Sequence, residues 1–245
     1  MHDDADPYLC LLIFCMKNIG IIGGLTWLSS LEYYRLLNEL VNKELGGVEA
    51  ARIILYSVNF AEVKKLTEEG RWDKIETMMC EIAKKLEAAG ADCLLLGANT
   101  MHRLAPEIQA AINIPLIHIA EETAKEIKKA GQSVIALLGT KYTMQLPFYS
   151  DKLAAQGIRT IIPPQDDIDY INTAIYAEMG KGLFLPETKQ RFLEIIGKLV
   201  EKGAQGVILG CTEIPLLLQQ KDCPVPVYDT TLIHSRAAVN FALQH

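Results

Sequence analysis

The sequence predicts an α/β protein of two pseudo-symmetric lobes, each a mostly parallel sheet flanked by helices, with an active site in the cleft between them. Three observations carry this expectation. Short apolar runs bounded by Gly or Pro alternate with segments of helical period, which is the pattern of βαβ units. The chain also repeats itself: IGIIGG, with Gly23, matches IALLGT, with Gly139, and GADCLLLGANT from Gly90 matches GAQGVILGCTE from Gly203. The intervals Gly23 to Gly90 and Gly139 to Gly203 are 67 and 64 residues, so one α/β unit occurs twice.

In chain order, NIGIIGG (18–24) reads as a buried strand, and LSSLEYYRLLNELVNKELGG (28–47) as an amphipathic helix ended by glycines. ARIILYSV (51–58) is the next strand, WDKIETMMCEIAKKLEAAG (72–90) the next helix and DCLLLGA (92–98) the third strand. IPLIHI (114–119) follows a short helix. The second half restarts with the strand SVIALLGT (133–140). It runs through helices near MQLPFYSDKLAAQG (144–157) and TKQRFLEIIGKLVEKG (188–203), and its sheet ends at GVILGC (206–211). VPVYDTTLIHSRAAVNFAL (225–243) reads as a strand and helix returning to the first half. The expected division is an N-terminal extension over 1–15, lobe 1 over 16–120, lobe 2 over 121–222, and a return to lobe 1 over 223–245.

Composition narrows the class of function. A chain of 245 residues, 50% hydrophobic and 22% charged, has enough apolar residues for a sizeable core. Its formal charge of −6, with no long basic run, disfavours a nucleic-acid or anionic-membrane partner, so a small soluble molecule is expected. Six cysteines show neither the CxxC pairs of a zinc site nor the density of a disulfide scaffold; no metal is predicted, and a reducing cytoplasm is the default. The first fifteen residues are acidic and then apolar, too short to span a bilayer and without the basic start of a signal peptide.

The two copies of the repeat differ where chemistry is expected. In open parallel sheets ligands bind beyond the carboxyl ends of the strands, and both Ala98 and Cys211 fall there. Two facing lobes bring such positions to one molecule from opposite sides. Asn99, Thr100, Thr140 and Thr212, with the N-termini of the following helices, supply donors suited to a carboxylate. A thiol at a helix N-terminus has a depressed pKa, which suits Cys211 to act as a nucleophile or proton-abstracting base. Its neighbour Glu213 either tunes that thiol or orients an amino group, or is simply a charge favoured at a helix start.

IGIIGGLTWLSSLEYYRLLNE, SVNF, GANTMH, HIAEETA, LLGTKYTM, GAQGVILGCTEIPLL and VYDTTLIHSRAAV follow one another over residues 16 to 245, and in that order they resemble the aspartate/glutamate racemase family. The resemblance implies two pseudo-symmetric α/β lobes, a homodimer, no pyridoxal phosphate or metal, and one cysteine per lobe to remove and return the α-proton of aspartate, or secondarily glutamate. Cys211 lies in the second-cysteine motif, GCTE. Ala98 occupies the slot of the first catalytic cysteine, immediately before Asn99 and Thr100. Alanine carries no transferable proton, so half of a two-base racemase is missing. Three explanations stay open: an inactivated or substrate-trapping form, a one-thiol lyase or isomerase acting α to a carboxylate, and a non-catalytic amino-acid binding protein. Arg52 and Lys181 match family positions that hold the substrate's carboxylates, and Thr26 is a further candidate for substrate binding. The chain departs from the family pattern at Leu25, Leu28 and Asn59, where Met, Glu and Asp are common.

Overall fold

The computed structural model describes residues 16–244, so the expected extension over 1–15 lies outside the described residues. The first half runs β1 (Ile19–Gly23), α1 (Trp27–Leu45), β2 (Ile53–Ser57), α2 (Phe60–Glu68), α3 (Trp72–Ala88) and β3 (Cys93–Leu96). A 3-10 turn (Asn99–Leu104) leads into α4 (Ala105–Ala110), and α5 is Ile119–Lys129. The second half repeats the scheme: β4 (Val134–Gly139), α6 (Lys141–Gln145), α7 (Pro147–Ala154), β5 (Arg159–Ile161), α8 (Gln165–Ala177), α9 (Pro186–Glu201) and β6 (Val207–Gly210). It closes with α10 (Ile214–Leu217), β7 (Val227–Asp229) and α11 (Thr230–Leu243).

Two all-parallel sheets result, in the orders β2-β1-β3 and β5-β4-β6-β7. The strands β1, β3 and β6 are buried along their whole length, as the apolar runs require when helices cover both faces. The stretch IPLIHI forms no strand of its own. It runs beside β3 through one parallel bridge, Leu94 to Leu116, at the place β7 takes beside β6.

The repeat extends to the helices that follow, and there the lobes exchange parts. His118 caps α5 by accepting from the Ala120 amide, and Asp229 caps α11 by accepting from the Thr231 and Leu232 amides. Ile119, Ala124 and Ile127 of α5 join the core around the second sheet, whereas Ala238, Val239 and Ala242 of α11 pack with β1 and α1 of the first. The return to the first lobe therefore begins at α11. Residues Val227–Asp229, expected to return with it, pair with β6 because their register, Val207 to Val227, extends the second sheet by one edge strand.

The expected helix over 144–157 is two helices. Pro147 has no amide hydrogen to continue α6 and instead starts α7 in its first turn. Gly24 allows the sharp exit from β1: its φ is +76°, and a Cβ there would lie 2.2 Å from the Val58 carbonyl oxygen. That turn carries Leu25 and Thr26 toward the carboxyl ends of the strands.

Candidate active site

One cavity of about 700 Å³ opens between the lobes at the carboxyl ends of β1, β3, β4 and β6. Ala98 and Cys211, the paired positions of the repeat, both line it. Thr26, Asn99, Thr100, Thr140, Lys181, Thr212 and Glu213 line it as well. Arg52 does not. It precedes β2, at the amino end of the sheet, where its backbone carbonyl accepts from the Ile19 amide and its guanidinium donates to the Met16 carbonyl at 3.3 Å. A residue at the amino end of a parallel strand cannot reach a cleft at the carboxyl ends, so Arg52 is no substrate ligand in this arrangement.

Glu213 organises the cysteine side. Its side chain is buried, and Oε2 accepts from the Cys211 thiol at 2.9 Å and from the Thr212 hydroxyl at 2.7 Å. Oε1 accepts from the Thr26 hydroxyl at 2.7 Å. Thr26 belongs to the other lobe, where the same oxygen caps α1 by accepting from the Ser29 amide. A second bond crosses the cleft between the Thr100 and Thr140 hydroxyls, 2.9 Å apart. The first set of bonds ties both lobes to the thiol through Glu213, and the second ties the lobes to each other.

The expected thiolate is absent from this state. Burial pushes the Cys211 pKa well above its ordinary value, and the adjacent Glu213 carboxylate pushes it further. The Thr212 and Glu213 amides oppose this by pointing at the sulfur, as a helix start would, but the effect is outweighed. Cys211 rests as a protonated thiol hydrogen-bonded to a carboxylate.

On the other face, the hydrogen bonds fix the orientation of Asn99. The Thr230 hydroxyl donates to the Leu209 carbonyl at 3.0 Å, so its oxygen is left to accept from Asn99 Nδ2 at 3.1 Å. Asn99 Oδ1 consequently has no partner, although the residue is buried and lines the cavity. The asparagine thus offers an acceptor, where the sequence suggested a donor for a carboxylate. His102 lies behind Ala98, with its ring Nδ1 3.1 Å from the Ala98 carbonyl; it joins buried His118 and His234, with ring centroids 4.8 and 5.4 Å away.

Sequence reasoning missed the wall formed by α2, α6 and α8, which brings Phe60, Val63, Lys64, Tyr142, Asn172 and Tyr176 to the cavity. The signals were present. Asn59 caps α2 through its side chain, and α8 begins with Asp166 and Asp167 in its first turn and buries Ile168, Ile171 and Ile175 at helical spacing. Among the described residues, no group of three or more His, Cys, Asp or Glu is placed to hold a metal ion, and no helix is long and apolar enough to cross a membrane.

The arrangement has counterparts among known proteins. A structure of a Yersinia pestis protein assigned to the Asp/Glu racemases is 43% identical, with a TM-score of 0.87 over 94% of this chain and 100% of that one. An aspartate racemase homologue from Pyrococcus horikoshii is 35% identical, with a TM-score of 0.82 over the same shares. A broad-specificity amino-acid racemase of Bacillus subtilis is 27% identical over 173 residues, 71% of this chain and 74% of that protein. The model of the Asp/Glu/Hydantoin racemase family matches residues 22–238, a span that contains both Ala98 and Cys211 and the residues that line the cavity. With its fold, its repeat and its sequence in agreement, this chain belongs to the Asp/Glu/Hydantoin racemase family, a family of racemase-type isomerases.

Proposed function

We propose that the chain is a cofactor-independent amino-acid racemase scaffold in which Cys211 moves the α-proton on one face of the substrate, while Ala98 leaves the other face without an acid or base. The observation that carries this reading is that the two equivalent positions of the repeat line one cavity, one with a thiol and one with a methyl group. The thiol cannot act as a base while protonated. Passing its proton to Glu213 Oε2, 2.9 Å away, yields a thiolate and a carboxylic acid without changing the net charge of the pair. The thiolate then takes the α-hydrogen, and the thiol so formed returns a proton to the same face.

The substrate's α-ammonium fits the unpaired Asn99 Oδ1, and its α-carboxylate fits the hydroxyl pair Thr100 and Thr140. The resemblance names aspartate, then glutamate, as substrate; of the two cations expected to grip two carboxylates, Lys181 lines the cavity and Arg52 does not. A one-thiol lyase or isomerase acting α to a carboxylate is the second reading, supported by the methyl group at 98. In deuterated water the chain is expected to exchange the α-proton of an amino acid, and Cys211→Ala and Glu213→Gln each to slow this by roughly 100-fold or more. Exchange by Cys211→Ala at the unsubstituted rate would overturn the assignment, and loss of carbon dioxide from a malonate substrate would favour the lyase.

A homodimer is part of the proposal. Trp27, Leu31 and Tyr34 form an exposed apolar stripe on α1, beside the edge strand β2 with its exposed Leu55 and Tyr56, a surface suited to self-association. Sedimentation is expected to give twice the chain mass of 27.2 kDa, falling to one with Leu31→Glu. A reducing compartment, the cytoplasm, suits the free thiol on which the chemistry depends.

A further inference from the structure

If the cleft holds a free amino acid, as proposed above, its wall says which side chain it takes. The geometry points to an α-amino acid with a bulky neutral side chain, of the leucine or phenylalanine kind, in place of a dicarboxylic acid. Phe60 and Val63 from α2, Tyr142 from α6, and Ile175 and Tyr176 from α8 together line the cavity. Tyr176 is half-buried, and burial followed by the nearby Cys211 holds its phenol well above the ordinary tyrosine range; it presents a neutral ring close to the thiol. Such a wall receives hydrocarbon well and a carboxylate poorly.

The cations that line the cavity do not compensate. The Lys64 ammonium is 2.9 Å from the Glu68 carboxylate, so this wall carries its own anion. The Lys141 ammonium lies 5.3 Å from the centroid of the Tyr142 ring, and both Lys141 and Lys181 are exposed. An exposed ammonium is a weak, water-screened anchor for a second carboxylate. The guanidinium that would have made a bidentate grip, Arg52, is at the opposite end of the sheet.

The test is calorimetric titration of the full chain with L-leucine, L-phenylalanine, L-alanine and L-aspartate. Leucine and phenylalanine are expected to bind at least about tenfold more tightly than alanine, and aspartate no more tightly than alanine. Phe60→Lys, at a half-buried position able to take a long side chain, is expected to reverse the order of leucine and aspartate. Aspartate binding as tightly as leucine and phenylalanine, or more tightly, in the unsubstituted chain would overturn the side-chain assignment while leaving the amino-acid reading in place. Absence of heat with all four would overturn both.

Discussion

Ala98→Cys is expected to raise racemisation of an amino acid substrate at least about 100-fold over the unsubstituted chain, the usual contribution of one well-placed proton donor. The site can take the change. Ala98 is partly buried and lines the open cavity, in extended backbone with φ −155° and ψ 139° that any residue adopts. A sulfur atom added there enters the cleft without displacing the core, so the melting temperature is expected to move little. Its partner, Cys211, already has a proton acceptor in Glu213. Chiral chromatography of the product reads the result. No gain, with the fold intact, would mean that the carbon being attacked does not lie between the two positions, and would favour a binding protein.

The second large effect is on stability in acid. Burial lowers the pKa values of all three interior histidines, to about 3 for His118 and His234 and well below the ordinary value for His102, with their mutual proximity adding to it. The hydrogen bonds show what a proton would break. His234 Nε2 lies 2.7 Å from the Ile117 carbonyl and so carries the hydrogen, which leaves Nδ1 to accept from the Tyr33 hydroxyl at 2.8 Å. His118 Nδ1 accepts the Ala120 amide that starts α5. His102 Nδ1 donates to the Ala98 carbonyl, so a second proton would go to Nε2, which has no partner.

In the unfolded chain these histidines take protons near pH 6.5, and in the folded chain they do so only in much stronger acid. Their contribution is fully present above pH 6.5 and is lost as pH falls toward 3. At pH 5 His118 and His234 each cost about 2 kcal/mol, and His102 acts in the same direction, which is a large share of the stability of many domains. Asp229, whose pKa burial raises, works in the opposite direction at lower pH. The melting temperature is expected to fall by roughly 10–20 °C between pH 7.5 and pH 5. A flat profile over that range would show that the histidines are not buried together in solution.

Much of this was legible in the sequence, and the exceptions have physical causes. β1, β3, β4 and β6 announce themselves because strands covered on both faces must be continuously apolar. β5 has only three residues, Arg159 to Ile161, none of them buried, so neither length nor pattern marks it. Arg52 was misplaced by its match to a family position, although the rule that ligands lie beyond the carboxyl ends of strands excludes a residue that precedes one. The state of Cys211 was invisible for another reason. A helix start is local and readable, whereas the burial and the Glu213 contact that outweigh it depend on how two lobes close, with Thr26 holding the carboxylate from a distance of 187 residues.

The most direct measurement is the configuration of the product that the unsubstituted chain makes in deuterated water. Proton traffic confined to the sulfur side predicts that one enantiomer gains one α-deuterium and keeps its configuration, with the opposite enantiomer lagging at least about 100-fold behind the label. Deuterium appearing equally in both enantiomers from the outset would contradict the account, because it requires a working acid on the face where this chain presents only the methyl group of Ala98.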